Sequence, residues 1–162
     1  MKPVTAGIDI GGIDTEIGLG DSNGKIYQKE ILVTKEFSTP DDFIRACADT
    51  VRKLGKSNDL AVKAIGVAAP NGNAYKGTIE NPVNLPWKGI IPFAKNMHEL
   101  TGVPTALTND ANAAAIGEKV FGGARDMNNF IVITLGAGLG SGIYCNGEIL
   151  NGHLGIAGEM GH

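Results

Sequence analysis

Hydrophobic and polar positions along the chain fall into short blocks. Val4–Ile10 is a nearly continuous apolar run, Thr15–Leu19 a second, and Lys25–Val33 a third with alternation in Ile26, Ile31 and Val33. Runs of this length bounded by glycine and asparagine predict strands. The tight turn Ser22-Asn23-Gly24 joins the last two, so the opening predicts a three-strand antiparallel meander. The stretch STPDD then offers Ser38 or Thr39 as an N-cap, Pro40 at the helix start and two acids in the first turn. A helix from about Pro40 to Leu54 follows, with Phe43, Ile44, Cys47, Val51 and Leu54 on one face. Leu60–Ala69 predicts a buried strand ending at Pro70, and residues 71–92 a loop long enough to suggest function. A helix is expected near Ile91–Leu100, a strand at Thr105–Thr108, a helix opening at Asn109 or Asp110, and a break over 122–129.

After the break the pattern starts again. FIVITLGAGLGSGIYCNGEIL reads as a strand, a glycine-rich turn, a strand, an Asn-Gly turn and a third strand start. The opening AGIDIGG…IGLGDSNGKI has the same layout, and Gly11 to Gly24 spans nearly the same distance as Gly136 to Gly147. There are 24 glycines, about twice the ~7% average usage, concentrated in these two places. A repeated strand–turn–strand start predicts a duplication, and two such loops facing each other would clamp a polyphosphate. The alternative is two unrelated glycine-rich hairpins. A full second copy needs about 100 further residues. The expectation is therefore one domain at residues 1–121 and the first strands of a second at 122–162, a fragment of a longer enzyme.

Composition narrows the class. The net charge is −3 over 162 residues and Lys and Arg are scattered, unlike the clustered basic face of a nucleic-acid binder. No apolar run approaches the ~18 residues of a membrane span, and the N-terminus lacks a signal-peptide pattern, so a cytoplasmic protein with no membrane partner is expected. Cys47 and Cys145, without a CxxC, read as small buried hydrophobes in a reducing compartment.

Three stretches carry candidate chemistry. In GIDIGGIDTEIGLG, Gly11-Gly12 is either a plain hairpin turn or a phosphate cradle of bare N–H groups with Asp9 facing a metal ion. In LTNDANAA, Asn109 and Asp110 sit where a strand runs into a helix. Such residues favour the N-cap, and a carboxylate there can also accept a proton from an attacking hydroxyl; Asn109 can cap while Asp110 works. In GEMGH, Glu159 and His162 are three apart, on one side if helical, and suit several sugar hydroxyls or a surface turn. His98 and His153 read as surface histidines.

DIGG at 9–12, NLPW at 84–87, TNDANAAAIGE at 108–118, TLGAGLGSGI at 134–143 and GEMGH at 158–162 resemble the ROK family of bacterial sugar kinases and sugar-responsive repressors, and within it the glucokinases. The resemblance implies an actin/hexokinase-like α/β fold: an RNase H-like N-terminal domain with a mixed sheet flanked by helices, plus the start of a second similar domain. It implies ATP and magnesium as cofactors, a hexose and a nucleotide as ligands, and a homodimer. Asp110 would be the general base. Asn84, Asn109, Asp110, Glu159 and His162 would bind the sugar. Asp9, Gly11 and Gly12 would form the first phosphate loop, Asp9 toward magnesium, and Gly136, Gly138 and Gly140 the second. In many members the His162 counterpart ligates zinc with downstream cysteines, so zinc is expected only in a full-length protein. Adenosine contacts would come mostly from the second domain, leaving the fragment inactive alone.

The departures matter. Where the family has DIGGT and TLGTG, this chain has Ile13 and Ala137, and Glu16 replaces a common lysine. A lost charge-assisted hydrogen bond is worth roughly 1.5–3 kcal/mol, or ~10- to 100-fold in rate if felt only in the transition state. These changes keep a second reading open, a pseudokinase or sugar-sensing module. A third, the sugar-binding half of a repressor, fits less well, because only a few residues precede the first strand, whereas such repressors begin with a helix-turn-helix.

Overall fold

The computed structural model describes residues 1–136 and 138–160; Ala137, Gly161 and His162 lie outside the described residues. Strand β1 (Lys2–Ile10) buries Val4, Ala6, Ile8 and Ile10 and leaves Thr5, Gly7 and Asp9 on its other face. It pairs antiparallel with β2 (Asp14–Gly20), which pairs antiparallel with β3 (Ile26–Val33), so the expected meander forms. The chain passes a short 3-10 turn at Thr34–Glu36 and enters helix α1 (Pro40–Ser57). The Thr39 side chain caps the helix by accepting from the Asp42 N–H at 3.1 Å, and Phe43, Ile44, Cys47, Val51 and Leu54 are all buried against the sheet. Burial pushes the Cys47 thiol up to about 12.

Strand β4 (Leu60–Ala69) pairs parallel with β1. Residues 71–92, expected to be loop, instead hold three short strands, β5 (Gly72–Asn73), β6 (Thr78–Glu80) and β7 (Ile90–Ile91), which form a small antiparallel sheet in that order. Turns with positive φ at Asn71, Gly77, Asn81 and Gly89 shape it, and two- or three-residue strands leave no period for a hydrophobic pattern to show. Helix α2 (Phe93–Thr101) therefore starts two residues later than Ile91. Strand β8 (Thr105–Asn109) pairs parallel with β4 and leads straight into helix α3 (Asp110–Val120). The main sheet has the order β3-β2-β1-β4-β8.

A second antiparallel sheet, β11-β10-β9, is built from β9 (Phe130–Leu135), β10 (Leu139–Cys145) and β11 (Glu148–Ile149). It lies on α3 so closely that a Cβ on Gly142 would stand 2.4 Å from the Ala111 carbonyl oxygen. Both sheets make their second turn at an Asn-Gly pair, with Gly24 at φ +80° and Gly147 at φ +83°. Cys145 does not fit the buried reading: as the last residue of β10, at that turn, it is exposed. Among the described residues, no helix is long and apolar enough to cross a membrane.

Candidate functional site

The parallel strands β1, β4 and β8 end at one edge of the sheet, where open α/β folds place their ligand crevice. The register sets Asp9 beside Ala68, Ala68 beside Thr108, and Ala69 beside Asn109. Asn109 is the N-cap of α3: its Oδ1 accepts from the Asn112 N–H at 2.7 Å, and the residue is only 3% exposed. With the cap supplied by Asn109, the exposed Asp110 is spared that task, and among the described residues its Oδ1 accepts only from the adjacent Ala111 N–H at 2.8 Å. Asp9 points into the same region. Its carboxyl is raised above the ordinary aspartate value, first by partial burial and then by the negative charges of Asp110 and Glu16. The two acids expected at the reaction centre therefore lie within electrostatic reach of each other.

The loop between β1 and β2 is both a hairpin and a fitted surface. The Gly11 N–H donates to the Asp14 carbonyl at 3.0 Å, the Thr34 N–H donates to Ile13 at 2.8 Å, and the buried hydroxyls of Thr15 and Thr34 meet at 2.8 Å. Neither Gly11 nor Gly12 takes a positive φ. What requires glycine at 12 is close approach: a Cβ there would stand 2.5 Å from the Asn84 carbonyl oxygen. Asn84 is exposed beside this loop, and the buried Leu85 and Trp87 anchor its segment. The Trp87 indole donates to the Phe37 carbonyl at 3.0 Å, and its ring packs 4.9 Å from that of Phe43. Among the described residues, the N–H groups of Gly12 and Ile13 take no backbone acceptor. Ile13 points outward, 64% exposed, and Glu16 pairs with Lys29 at 2.5 Å.

In the second glycine loop, the Gly136 N–H donates to the Gly138 carbonyl at 3.0 Å, and a Cβ on either glycine would meet open space. Gly140 lies against the start of α3, where its Cβ would come 3.1 Å from that of Ala111, the residue after Asp110. The expected substitution site Ala137 is among the residues not described.

Glu159 reaches the crevice from the far end of the chain: the Asn109 Nδ2 donates to its Oε1 at 3.3 Å. Its segment is not the helix that would set Glu159 and His162 on one side; residues 150–160 are turns and irregular backbone. Other bonds fasten it: Ser141 Oγ to the Gly158 carbonyl at 2.7 Å, Asn73 Nδ2 to the Leu154 carbonyl at 3.2 Å, and the Tyr75 hydroxyl to the Gly152 carbonyl at 3.0 Å. Sequence reasoning missed Asn73, Tyr75 and Ser141. All three act on backbone carbonyls remote in sequence, and no local spacing signals such partners. His98 and His153 are exposed, His98 with its Nδ1 3.0 Å from the Val103 carbonyl. Two carboxylates, Asp9 and Asp110, are available for a cation here; His162 lies outside the described residues.

A mixed sheet flanked by helices, with acids at its parallel edge and a second sheet on the far side of α3, is the actin/hexokinase-like fold of sugar kinases. The ROK family model matches residues 5–162, and the chain belongs to the ROK family. It is 36% identical over 159 residues to a glucokinase of Streptomyces coelicolor, covering 98% of this chain and 49% of that protein. An N-acetylmannosamine kinase of Salmonella paratyphi A is 32% identical over 161 residues, covering 98% of this chain and 53% of that one. The crystal structure of a ROK family glucokinase from Streptomyces griseus in complex with glucose and AMPPNP superposes with a TM-score of 0.81 at 31% identity, over 98% of this chain and 50% of that chain. The chain thus spans about half the length of these relatives.

Proposed function

We propose that these residues form the N-terminal half of an ATP-dependent hexose kinase, with glucose as the substrate. The observation that carries this reading is the convergence at one sheet edge of an uncommitted carboxylate, Asp110, with a second acid, Asp9, and with the Asn109–Glu159 pair. Asn84, Asn109 and Glu159, with His162, hold the sugar hydroxyls. Asp110 accepts the proton of the 6-hydroxyl as its oxygen attacks the terminal phosphorus and the bond to the departing ADP breaks. Such transfer asks mainly for positioning and charge stabilisation. The open surfaces over Gly136 and Gly138, and the Gly12 and Ile13 N–H groups, suit phosphate oxygens. Two neighbouring carboxylates, one of them raised above its usual value first by partial burial and then by the charge of the other and of Glu16, suit a divalent cation. Magnesium bound there would offset the charge of the nucleotide, Asp9 holding it. We place the protein in the cytoplasm as a homodimer.

The test is hexose-dependent ADP production by the full-length enzyme, with glucose and N-acetylmannosamine compared. Asp110→Asn keeps the shape and removes the basicity, so kcat is expected to fall about 100-fold or more, with sugar affinity changed far less. A kcat within a few-fold of wild type would overturn the general-base role. A second reading, a sugar sensor without turnover, rests on Glu16, which adds negative charge beside Asp9 at the first loop. Glucose binding without ADP production would favour it.

A further inference from the structure

Asn112 is the third residue of α3, in a run of alanines, where its amide lowers helix propensity and serves no cap. It is 1% exposed. Its Nδ2 donates to the Asn151 Oδ1 at 3.5 Å, while its own Oδ1 is buried and, among the described residues, has no partner. A buried amide with an unmatched acceptor weakens a fold relative to an apolar residue of the same shape. Its position has a use that stability does not supply. Asn151 is the start of the segment that carries Glu159, and its carbonyl accepts from the Ala157 N–H at 3.0 Å, which folds the segment back on itself. The backbone N–H of Asn112 donates to Asn109, and Asn109 donates in turn to Glu159. One helical turn therefore grips both ends of the 151–159 segment, directly at Asn151 and through Asn109 at Glu159.

We propose that Asn112 is a positioning residue for the sugar site: by holding Asn151 it fixes the 151–159 segment so that the Glu159 carboxylate meets Asn109 and the sugar in one orientation. It does not touch the sugar; it acts through Asn151. This rests on the reading of Glu159 as a sugar ligand, and the test separates the two.

The experiment is a double-mutant cycle in the full-length enzyme, with Asn112→Ala, Asn151→Ala and the pair, beside Glu159→Gln, each assayed for sugar KM, ATP KM and kcat. Each asparagine change is expected to raise the sugar KM about tenfold with the ATP KM within about threefold, the signature of lost ground-state sugar binding. The pair should be no worse than either single change, since residues that act through one another are not additive. Asn151→Ala lies in a partly exposed segment and carries the same expectation should the helix variant fail to fold. Sugar KM unchanged in both single variants while Glu159→Gln raises it would overturn the positioning role, as would fully additive effects in the pair. Glu159→Gln without effect on sugar KM would instead overturn the assignment of Glu159, and this inference with it.

Discussion

Asp9 and Asp110 stand at the ends of β1 and β8, two parallel strands with β4 between them, and what surrounds each acid decides its part. Asp110 follows a residue that has taken over the cap, so its carboxylate faces the crevice, with a single local hydrogen bond among the described residues. Asp9 is partly buried and stands near two other carboxylates, so its charged form is disfavoured. The consequence for stability has a definite sign. A carboxyl whose folded pKa is raised binds its proton more readily folded than unfolded, so its ionisation destabilises the fold at neutral pH, and the penalty disappears as pH falls through the folded value. Asp9→Asn is therefore expected to raise Tm at pH 7 and to leave Tm unchanged near pH 3, below the unfolded aspartate value of about 3.9. Thermal unfolding from pH 7 down to 3 checks this; a Tm gain that persists at the acid end would show that charge is not the cause. The identities of these two acids were legible in the sequence, from Asp9 before a glycine pair and Asp110 at a strand–helix junction. Their proximity was not, since 101 positions separate them and only the sheet order brings them together.

At the scale of elements, legibility followed length. Helix α1 declared itself through a cap, a proline, two acids and five core residues at helical spacing, and all five are buried. The three strands of residues 71–92 did not, because their turns are set by asparagine and glycine φ values, and Ile79 and Ile91 reach the common core only in the folded chain. That small sheet and the NLPW segment matter to the site because the Asn84 carbonyl rests on Gly12. Gly12→Ala places a methyl 2.5 Å from that oxygen, nearer than real Cβ contacts come, so one of the two backbones must move. If Asn84 is a sugar ligand, the variant should raise the sugar KM about tenfold and lower Tm by several degrees, a shift that corresponds to about 1–2 kcal/mol in a domain this size. Steady-state kinetics beside thermal unfolding decide it; normal sugar KM with normal Tm would mean that the contact yields freely.

For the molecule as a whole, the second sheet presents an uncovered apolar row at its β9 edge. Strand β9 is an edge, and Ile131, Ile133 and Leu135 project from it away from α3, Leu135 being 84% exposed. Apolar side chains in such a row are normally covered, and the relatives have about as many residues again. The 162 residues alone are accordingly expected to produce no ADP from ATP and glucose; measurable turnover by the purified chain would mean that both substrate sites of the proposed kinase are complete within it. The sequence by itself determined the strands and helices of ordinary length, the repeated strand–turn–strand start, the family, and the residues able to do acid–base and phosphate chemistry, because these depend on local period, turn chemistry and residue type. The tertiary structure decided that Asn109 meets Glu159, that Gly12 meets Asn84, and that a fastened irregular segment, not a helix, presents Glu159. Those outcomes depend on which strands lie side by side and on side chains bonding remote backbone carbonyls, and neither leaves a periodic mark along the chain.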